Sequence, residues 1–563
     1  MKKNLFQKLA CLTIPFLALG CSQTPSQEES SAPDTNSRSS SAPTSLSSSA
    51  SDASSSSNQS AAYTPVVPQL KFTSNVASEI SFATTATKSD LVRPEVNGKI
   101  TLTNCSNKKQ EIADADCTMK VRGNQTAGWA KKGFRIKFNG KTNLLGLNSG
   151  QKYKKWILLA DAKDTCLIRT ALGLYISKAI SQGDNVWVSD YTPVTVYLNN
   201  EYWGFYYLCE QKEVKEGRVK LAEPASGSGV DIGYCFELDH YADSAGSNDE
   251  ASEMKKGVEG DPTFRMKYSP NMEQGRPSGP LATGQVNTYT MLSDITDCTE
   301  ADKHCEADYT NLNRGQLTNN SQKTSNSAQL SFIRDRMEAL YQVLYYAVKK
   351  QAKEINENNE VVNSSKTVQQ VMNQYFDLNA WVDGYIINAF SVPPDLGYSS
   401  FYMSYDNTPT GDHKLRYDVP WDFDSNFGNR NNFYVDGKTD TYVENTYNTW
   451  LYQLSKLDFF VNMVKTKWNK LRDDKVFEGM FSMMNESFSK YDGEIQENHK
   501  KWPQNDAAHQ PPNNFDEIRD PYKEPSQYKE AEEETITWCA NRVNFLESKW
   551  GKNRAAINTN PTK

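Results

Sequence analysis

Pro193-Val-Thr-Val-Tyr-Leu-Asn-Asn-Glu-Tyr-Trp-Gly-Phe-Tyr-Tyr-Leu-Cys-Glu210 contains two β-branched and aromatic runs parted by Asn199-Asn200. Asn tolerates the positive φ that a tight turn needs, so the stretch predicts a β-hairpin. Upstream, Gln69-Leu-Lys-Phe72, Ile80-Ser-Phe82, Lys99-Ile-Thr-Leu-Thr103 and Thr118-Met-Lys-Val121 are short β-type runs between polar turns, the pattern of a twisted antiparallel sheet. Lys132-Gly-Phe-Arg-Ile-Lys-Phe138 is a further strand, closed by the hairpin signal Asn139-Gly140. Its alternation puts Phe134, Ile136 and Phe138 on one face and Arg135 and Lys137 on the other. That second face is either solvated or a grip for phosphate.

Trp156-Ile-Leu-Leu159 and Gly233-Tyr-Cys-Phe-Glu-Leu-Asp239 also read as strands. Between them, Ile168, Leu172, Tyr175 and Ala179 recur at helical spacing within Asp161–Ile180, with Asp164 as a candidate cap. Residues 241–329 are polar and rich in Gly, Ser, Asn and Thr, which predicts an insertion or long surface loop. Helices are expected over Ser331–Ile355, Thr367–Tyr375, Leu378–Phe390, Trp450–Ser489 and Glu530–Trp550, with strands at Phe401–Tyr405 and Lys414–Tyr417. The fold class is α+β: a β-rich N-terminal lobe (66–240) and a helical C-terminal lobe (330–555) meeting around a cleft.

The N-terminus speaks for export. Lys2 and Lys3 precede an apolar run, Leu9–Leu19, too short to cross a bilayer and shaped like a secretory signal over residues 1–20. Its end, Leu17-Ala-Leu-Gly-Cys21, resembles the lipobox of bacterial lipoproteins. That resemblance implies lipidation of Cys21 and attachment to the bacterial membrane, the outer membrane if the cell is Gram-negative, since Ser22 is not the Asp of inner-membrane retention. Residues 21–65 are Ser-rich with little to bury, which predicts a disordered tether. A net charge of −7 argues against a nucleic-acid binder, and a mean hydropathy of −0.71 against an integral membrane protein. Beyond Cys11 and Cys21 the cysteines are even in number, and export permits disulfides. Cys105 with Cys117 and Cys298 with Cys305 are the expected local pairs. Zinc at His304 and Cys305 is the rival reading, disfavoured because no CxxC pair occurs.

The chemistry converges on Pro420-Trp-Asp-Phe-Asp-Ser-Asn-Phe-Gly-Asn429. Asp422 and Asp424 sit among Trp421, Phe423 and Phe427, too aromatic a setting for a solvated acidic loop. If extended, the segment turns both carboxylates to one face, a donor set suited to Mg²⁺, and Asn426 and Gly428 let the chain turn away. A hydrogen-bonded structural corner is the alternative.

Four stretches in order resemble the CotH family, regarded as atypical protein kinases: Arg122-Gly-Asn with Lys132–Phe138; Trp156-Ile-Leu-Leu-Ala-Asp161 with Leu167-Ile-Arg169; Val196–Glu210; and Pro420-Trp-Asp-Phe-Asp424 with Phe427-Gly428. The resemblance implies a two-lobed kinase-like fold with ATP between the lobes and Mg²⁺ on its phosphates. It gives Asp395 the part of orienting the acceptor hydroxyl and makes Asp422 a metal ligand. Asp424 becomes either a second ligand or a support behind the first, Lys137 with Arg135 the nucleotide-binding cations, and Glu210 an orienting partner. The family carries Asn five positions after its catalytic Asp, where this chain has Ser400. Asp383 with Asn388 has the same spacing, but within a predicted helix. Asp395 follows Pro393-Pro394 and also fits a plain turn. The implied function is transfer of phosphate from Mg-ATP to Ser or Thr of surface or secreted proteins. A non-catalytic surface or assembly lipoprotein is the alternative, and a glycan-binding module has only aromatic content behind it.

Overall fold

Seven strands close into a barrel: β1 (Gln69–Ser74), β2 (Val96–Thr103), β3 (Ile112–Arg122), β4 (Gly133–Thr142), β5 (Tyr153–Leu159), β6 (Tyr191–Leu198) and β7 (Glu201–Glu210), in the order β1-β2-β3-β4-β5-β7-β6. The computed structural model describes residues 63–81, 93–123, 125–221, 229–238, 263–266, 288–293, 306–307, 327–397, 399–429, 440, 449–503 and 527–561. The expected signal, Cys21 and nearly all of the expected tether lie outside these residues, as do Cys298, His304 and Cys305. From Tyr63 onward the chain is a single unit.

The antiparallel sheet expected of the N-terminal half is there, but it is closed. Closure comes from the one parallel pairing, in which β1 joins β6 with Gln69 opposite Thr195 and Phe72 opposite Leu198. A closed sheet has no exposed edge to recruit another chain. Its interior is an apolar core that includes Leu70, Phe72, Ile100, Met119, Phe134, Ile136, Trp156 and Tyr206. The 193–210 hairpin forms as expected, with Asn199 and Asn200 both at positive φ.

Residues 156–158 of β5 and 203–209 of β7 are buried on both faces, which is why those stretches read as unbroken apolar runs. Trp156, Leu158, Tyr206 and Leu208 point into the barrel, while Ile157, Phe205, Tyr207 and Cys209 belong to a second, larger core outside it. Gly204 sits beside a register shift in β7 at φ +140°, and a Cβ there would come within 2.9 Å of Asn498 Oδ1.

The second core is built on a six-stranded sheet of order β11-β9-β10-β8-β14-β15. Its strands are β8 (Gly233–Leu238), β9 (Thr263–Arg265), β10 (Thr288–Met291), β11 (Glu306–Ala307), β14 (Phe401–Asp406) and β15 (Leu415–Asp418). Three of them, β9, β10 and β11, come from the 241–329 stretch expected to be loop or insertion. A small hairpin, β12 (Lys353–Ile355) with β13 (Val361–Asn363), stands apart. Sheet and helices are thus interleaved along the chain rather than divided into a strand half and a helix half.

The helices are α1 (Arg169–Ile180), α2 (Ala328–Val348), α3 (Val368–Tyr375), α4 (Leu378–Ser391), α5 (Thr449–Leu454), α6 (Asp458–Asp473), α7 (Val476–Lys490), α8 (Asp492–Lys501) and α9 (Tyr528–Trp550). Thr367 and Gln370 form a reciprocal capping box at α3, and the Ser327 hydroxyl accepts from the Leu330 amide at α2. Helix α1 starts later than its apolar spacing predicted. Asp164 is not its N-cap, which is Ile168, but its carboxylate still serves the N-terminus, accepting from the Ile168 and Arg169 amides at 2.8 and 2.7 Å. Helix α4 is apolar almost all round and correspondingly buried along nearly its whole length.

Two local expectations fail for geometric reasons. Asn139-Gly140 makes no hairpin: β4 runs on to Thr142, and the pair falls in a register shift between Lys137↔Lys155 and Thr142↔Tyr153. Cys105 and Cys117 are both unbonded. The β2–β3 register puts Cys117 opposite Gly98, whereas Cys105 lies beyond the end of β2 at Thr103, past Asn104 at positive φ.

Candidate functional site

A small cleft opens between the end of α4, the 393–400 loop and the segment after β15. Asn388, Asp395, Ser400, Asp422 and Asn426 supply its polar lining, and Pro393, Leu396, Trp421 and Phe423 much of the rest. Asp395 lies in the turn after Pro393-Pro394, where its carbonyl accepts from the Ser399 amide at 3.0 Å. The turn is therefore real, and it delivers the carboxylate to the cleft.

The backbone here is unusual. Val392, Ser400, Val419, Asp422 and Phe427 all have φ between +51° and +66°. Non-glycine residues adopt such angles at a cost and keep them only where surrounding contacts insist. At Asp422 the consequence is direct. Its φ of +66° breaks the extended run, so Asp422 is exposed on the cleft while Asp424 turns into the protein. The one-faced arrangement expected of the two carboxylates is not what forms, because it needed an uninterrupted strand. Trp421 and Phe423 are both buried. Gly428, at φ +75°, completes the turn; a Cβ there would come within 2.5 Å of the Trp538 ring.

Hydrogen bonds fix the loop from several sides. The Ser400 hydroxyl donates to Asp422 Oδ2 at 3.1 Å, and the Ser400 amide to Glu237 Oε1 at 2.8 Å. The Tyr402 hydroxyl donates to Glu237 Oε2 at 2.7 Å. The Phe427 amide reaches the Ser391 carbonyl at 2.8 Å, tying the loop to the end of α4. Asp424 is paired with Lys163 at 3.5 Å, and Lys163 also donates to Ser425 Oγ at 3.1 Å. Burial raises the Asp424 carboxyl above its ordinary range, and Lys163 pulls the other way.

The structure brings Asp395 and Asp422 to one cleft but takes the other expected residues elsewhere. Lys137 is exposed on β4, and Arg135 beside it pairs with Glu95. Glu210 is buried at the end of β7, accepting from Asn148 Nδ2 at 2.6 Å, the Asp190 amide at 3.0 Å and Arg218 Nε at 3.3 Å. Burial raises its carboxyl. None of these three lines the cleft. Asp383 lies in α4 on Lys467 at 2.9 Å, and burial lifts it to about 8. Its helical partner in spacing, Asn388, does reach the cleft.

Two cations missed in the sequence flank the cleft instead. Lys212 stands 5.2 Å from the Trp421 ring centroid and 4.1 Å from that of Tyr402. Arg122 stands 5.8 Å from the Trp421 ring, and the negative charge of Asp422 is the largest influence sustaining its protonated form against burial. Arg122 belongs to the Arg-Gly-Asn stretch already singled out, and that was the available signal.

Among the described residues no group of three or more His, Cys, Asp or Glu is placed to hold a metal ion. The cleft does present two carboxylates, the hydroxyl residues Ser399, Ser400, Ser425 and Tyr417, and two amide side chains. That all-oxygen donor set fits a hard cation such as Mg²⁺, which takes one or two carboxylates and fills the rest with neutral oxygens.

An α+β protein with two carboxylates and two flanking cations around one cleft has the groups that phosphoryl transfer calls for. The sequence model of the CotH kinase protein family matches residues 119–269 and 289–546, and the chain belongs to that family. The gap in the match falls within the polar 241–329 stretch. No curated protein matches the chain.

Proposed function

We propose that the chain is an exported CotH-like kinase that transfers the terminal phosphoryl group of ATP to Ser or Thr hydroxyls of surface or secreted proteins. The observation that carries this reading is the meeting of Asp395 and Asp422 on one cleft, from loops separated in sequence by β14 and β15. In the reaction the acceptor oxygen attacks the terminal phosphorus, the bond to the bridging oxygen breaks, and ADP leaves. Asp395 orients the attacking hydroxyl and receives its proton. Asp422 would hold Mg²⁺, which when bound would supply charge neutralisation for the phosphates. Lys212 and Arg122 neutralise the phosphates from the Trp421 side. Asp424 supports the reaction by anchoring the loop to Lys163. The charged start, the short apolar run and Cys21 support export and a lipid anchor. Among the described residues no helix is long and apolar enough to cross a membrane.

Ser400, standing where the family carries Asn, motivates a second reading, a non-catalytic surface scaffold that keeps the fold. Labelled ATP and Mg²⁺ incubated with the full chain, beside Asp395→Ala and Asp422→Ala, decide between them. The kinase reading expects label in wild type and at least a hundredfold less in each variant. Equal label in all three rejects it, and nucleotide binding without any transfer supports the scaffold.

A further inference from the structure

Three asparagines stand in or beside the cleft, and two of them are occupied. Asn388 donates through Nδ2 to the Gly384 carbonyl at 2.7 Å and is hydrogen-bonded to the Tyr417 side chain. Asn429 donates to the carbonyls of Lys163 and Asp424 at 3.0 and 2.7 Å. Asn426 differs. Its side chain is buried, 1% exposed, yet neither Oδ1 nor Nδ2 has a hydrogen-bond partner. The residue lines the same cleft as Asp395 and Asp422. Its backbone is well held: the amide donates to the Phe423 carbonyl at 3.0 Å and the carbonyl accepts from Asn429 at 3.1 Å. A rigidly placed, unsatisfied buried amide is rare in folded proteins and calls for a missing partner.

We propose that Asn426 supplies the neutral amide oxygen of the cation site in this cleft, taking over the part that Ser400 leaves open. The proposal rests on the phosphoryl-transfer reading above. Two carboxylates balance a divalent charge, and no third acidic side chain is in place among the described residues, so the remaining protein donor must be neutral. The Ser400 hydroxyl already gives its proton to Asp422, and a hydroxyl is a poorer ligand than an amide carbonyl. Asn426, two residues beyond Asp424 on the loop that carries Asp422, lines the same cleft with a buried amide oxygen that has no partner among the described residues. Its Nδ2 is left to face a phosphate oxygen. The sequence put Asn426 down to turn formation alone; its missing partners point to ligand binding.

The test is Mn²⁺ binding to the full chain, followed by electron paramagnetic resonance with a non-hydrolysable ATP analogue present. Asn426→Ala is expected to weaken Mn²⁺ binding about tenfold. Asn426→Asp keeps an oxygen in place and is expected to bind at least as tightly as wild type. Ser400→Asn in the Asn426→Ala background is expected to recover most of the loss, because Asn accepts the positive φ of position 400. Unchanged Mn²⁺ affinity in Asn426→Ala, with affinity lost in Asp422→Ala, overturns the proposal and leaves the kinase reading standing. An equal loss with Asp and with Ala marks a packing role and also overturns it. If Asn426→Ala does not fold, the Asp variant decides alone: binding at or above the wild-type level supports the proposal, and a tenfold loss defeats it. A wild-type chain that binds neither Mn²⁺ nor the analogue brings down both readings together.

Discussion

The Ser400 hydroxyl donates a hydrogen bond to Asp422 Oδ2 at 3.1 Å, joining the loop that carries Asp395 to the loop that follows β15. Both residues have positive φ, so each loop is held in a strained shape while the bond spans them. Ser400→Ala removes one side-chain bond at a solvent-accessible position and should cost about 0.5–1.5 kcal/mol. Thermal unfolding checks this. Label transfer should fall less in Ser400→Ala than in Asp422→Ala, since the alanine variant keeps the carboxylate and loses only its tie.

Phe423 is positioned by helix α1. A Cβ built on Gly173 would lie 2.0 Å from the Phe423 ring, so the helix and the ring touch with no room between them. Gly173→Ala must therefore push Phe423 out and drag Asp422 and Asp424 with it. Overpacking of this kind costs about 1–3 kcal/mol, and ATP binding should be lost along with part of the stability. Gly140→Ala, where a Cβ would meet nothing within 4 Å, is the control and should leave both unchanged. Calorimetry with ATP, beside thermal unfolding, reads out the pair.

How much of this was legible in the sequence follows from the range of the interactions. The β6–β7 hairpin was readable because turn and alternation are local. Barrel closure was not, since it depends on Gln69 meeting Thr195 in parallel across most of the N-terminal half. Strands β9 and β10 hide in a polar stretch because β10 is recruited by pairing to β8 and β9 by pairing to β10, which short segments of weak propensity cannot announce. The site shows the same division. Asp422 was named from residue pattern and Asp395 through the family resemblance, and both line the cleft. Alternation along the strand failed at Asp422 because one backbone angle reverses the facing of everything after it. Alternation likewise set Arg135 and Lys137 opposite the apolar face of β4, but it carries no information on what covers that face.

The cations proposed to meet phosphate offer a sharper contrast. Lys212 and Arg122 flank Trp421 beside the cleft, whereas Lys137 is exposed on the barrel. Lys212→Met should weaken ATP binding about tenfold, or about 1.4 kcal/mol. Lys137→Met should change it less than twofold. Titration calorimetry with ATP and Mg²⁺ measures both, and equal losses in the two variants would return the barrel face to consideration.

Stability should carry the mark of a buried histidine. His499 is 1% exposed, and its Nε2 lies 2.7 Å from the Thr165 carbonyl, so the neutral ring donates there. Burial pushes its pKa down from 6.5 to about 4, opposed by the Thr165 carbonyl and helped by nearby Lys131. The unfolded chain then binds a proton that the folded chain refuses between about pH 6.5 and 4. Its contribution is present above pH 6.5 and is lost as pH falls through the folded value, an amount near 3 kcal/mol at about 1.36 kcal/mol per unit. Asp424 and Asp383, raised by burial, act in the opposite sense, so the histidine must be read by difference. His499→Gln keeps a donor for Thr165 and has no such titration. The gap in unfolding midpoint between wild type and His499→Gln should therefore shift against wild type on acidification from pH 7 to 4, and a gap constant across that range would assign the pH response to the carboxylates.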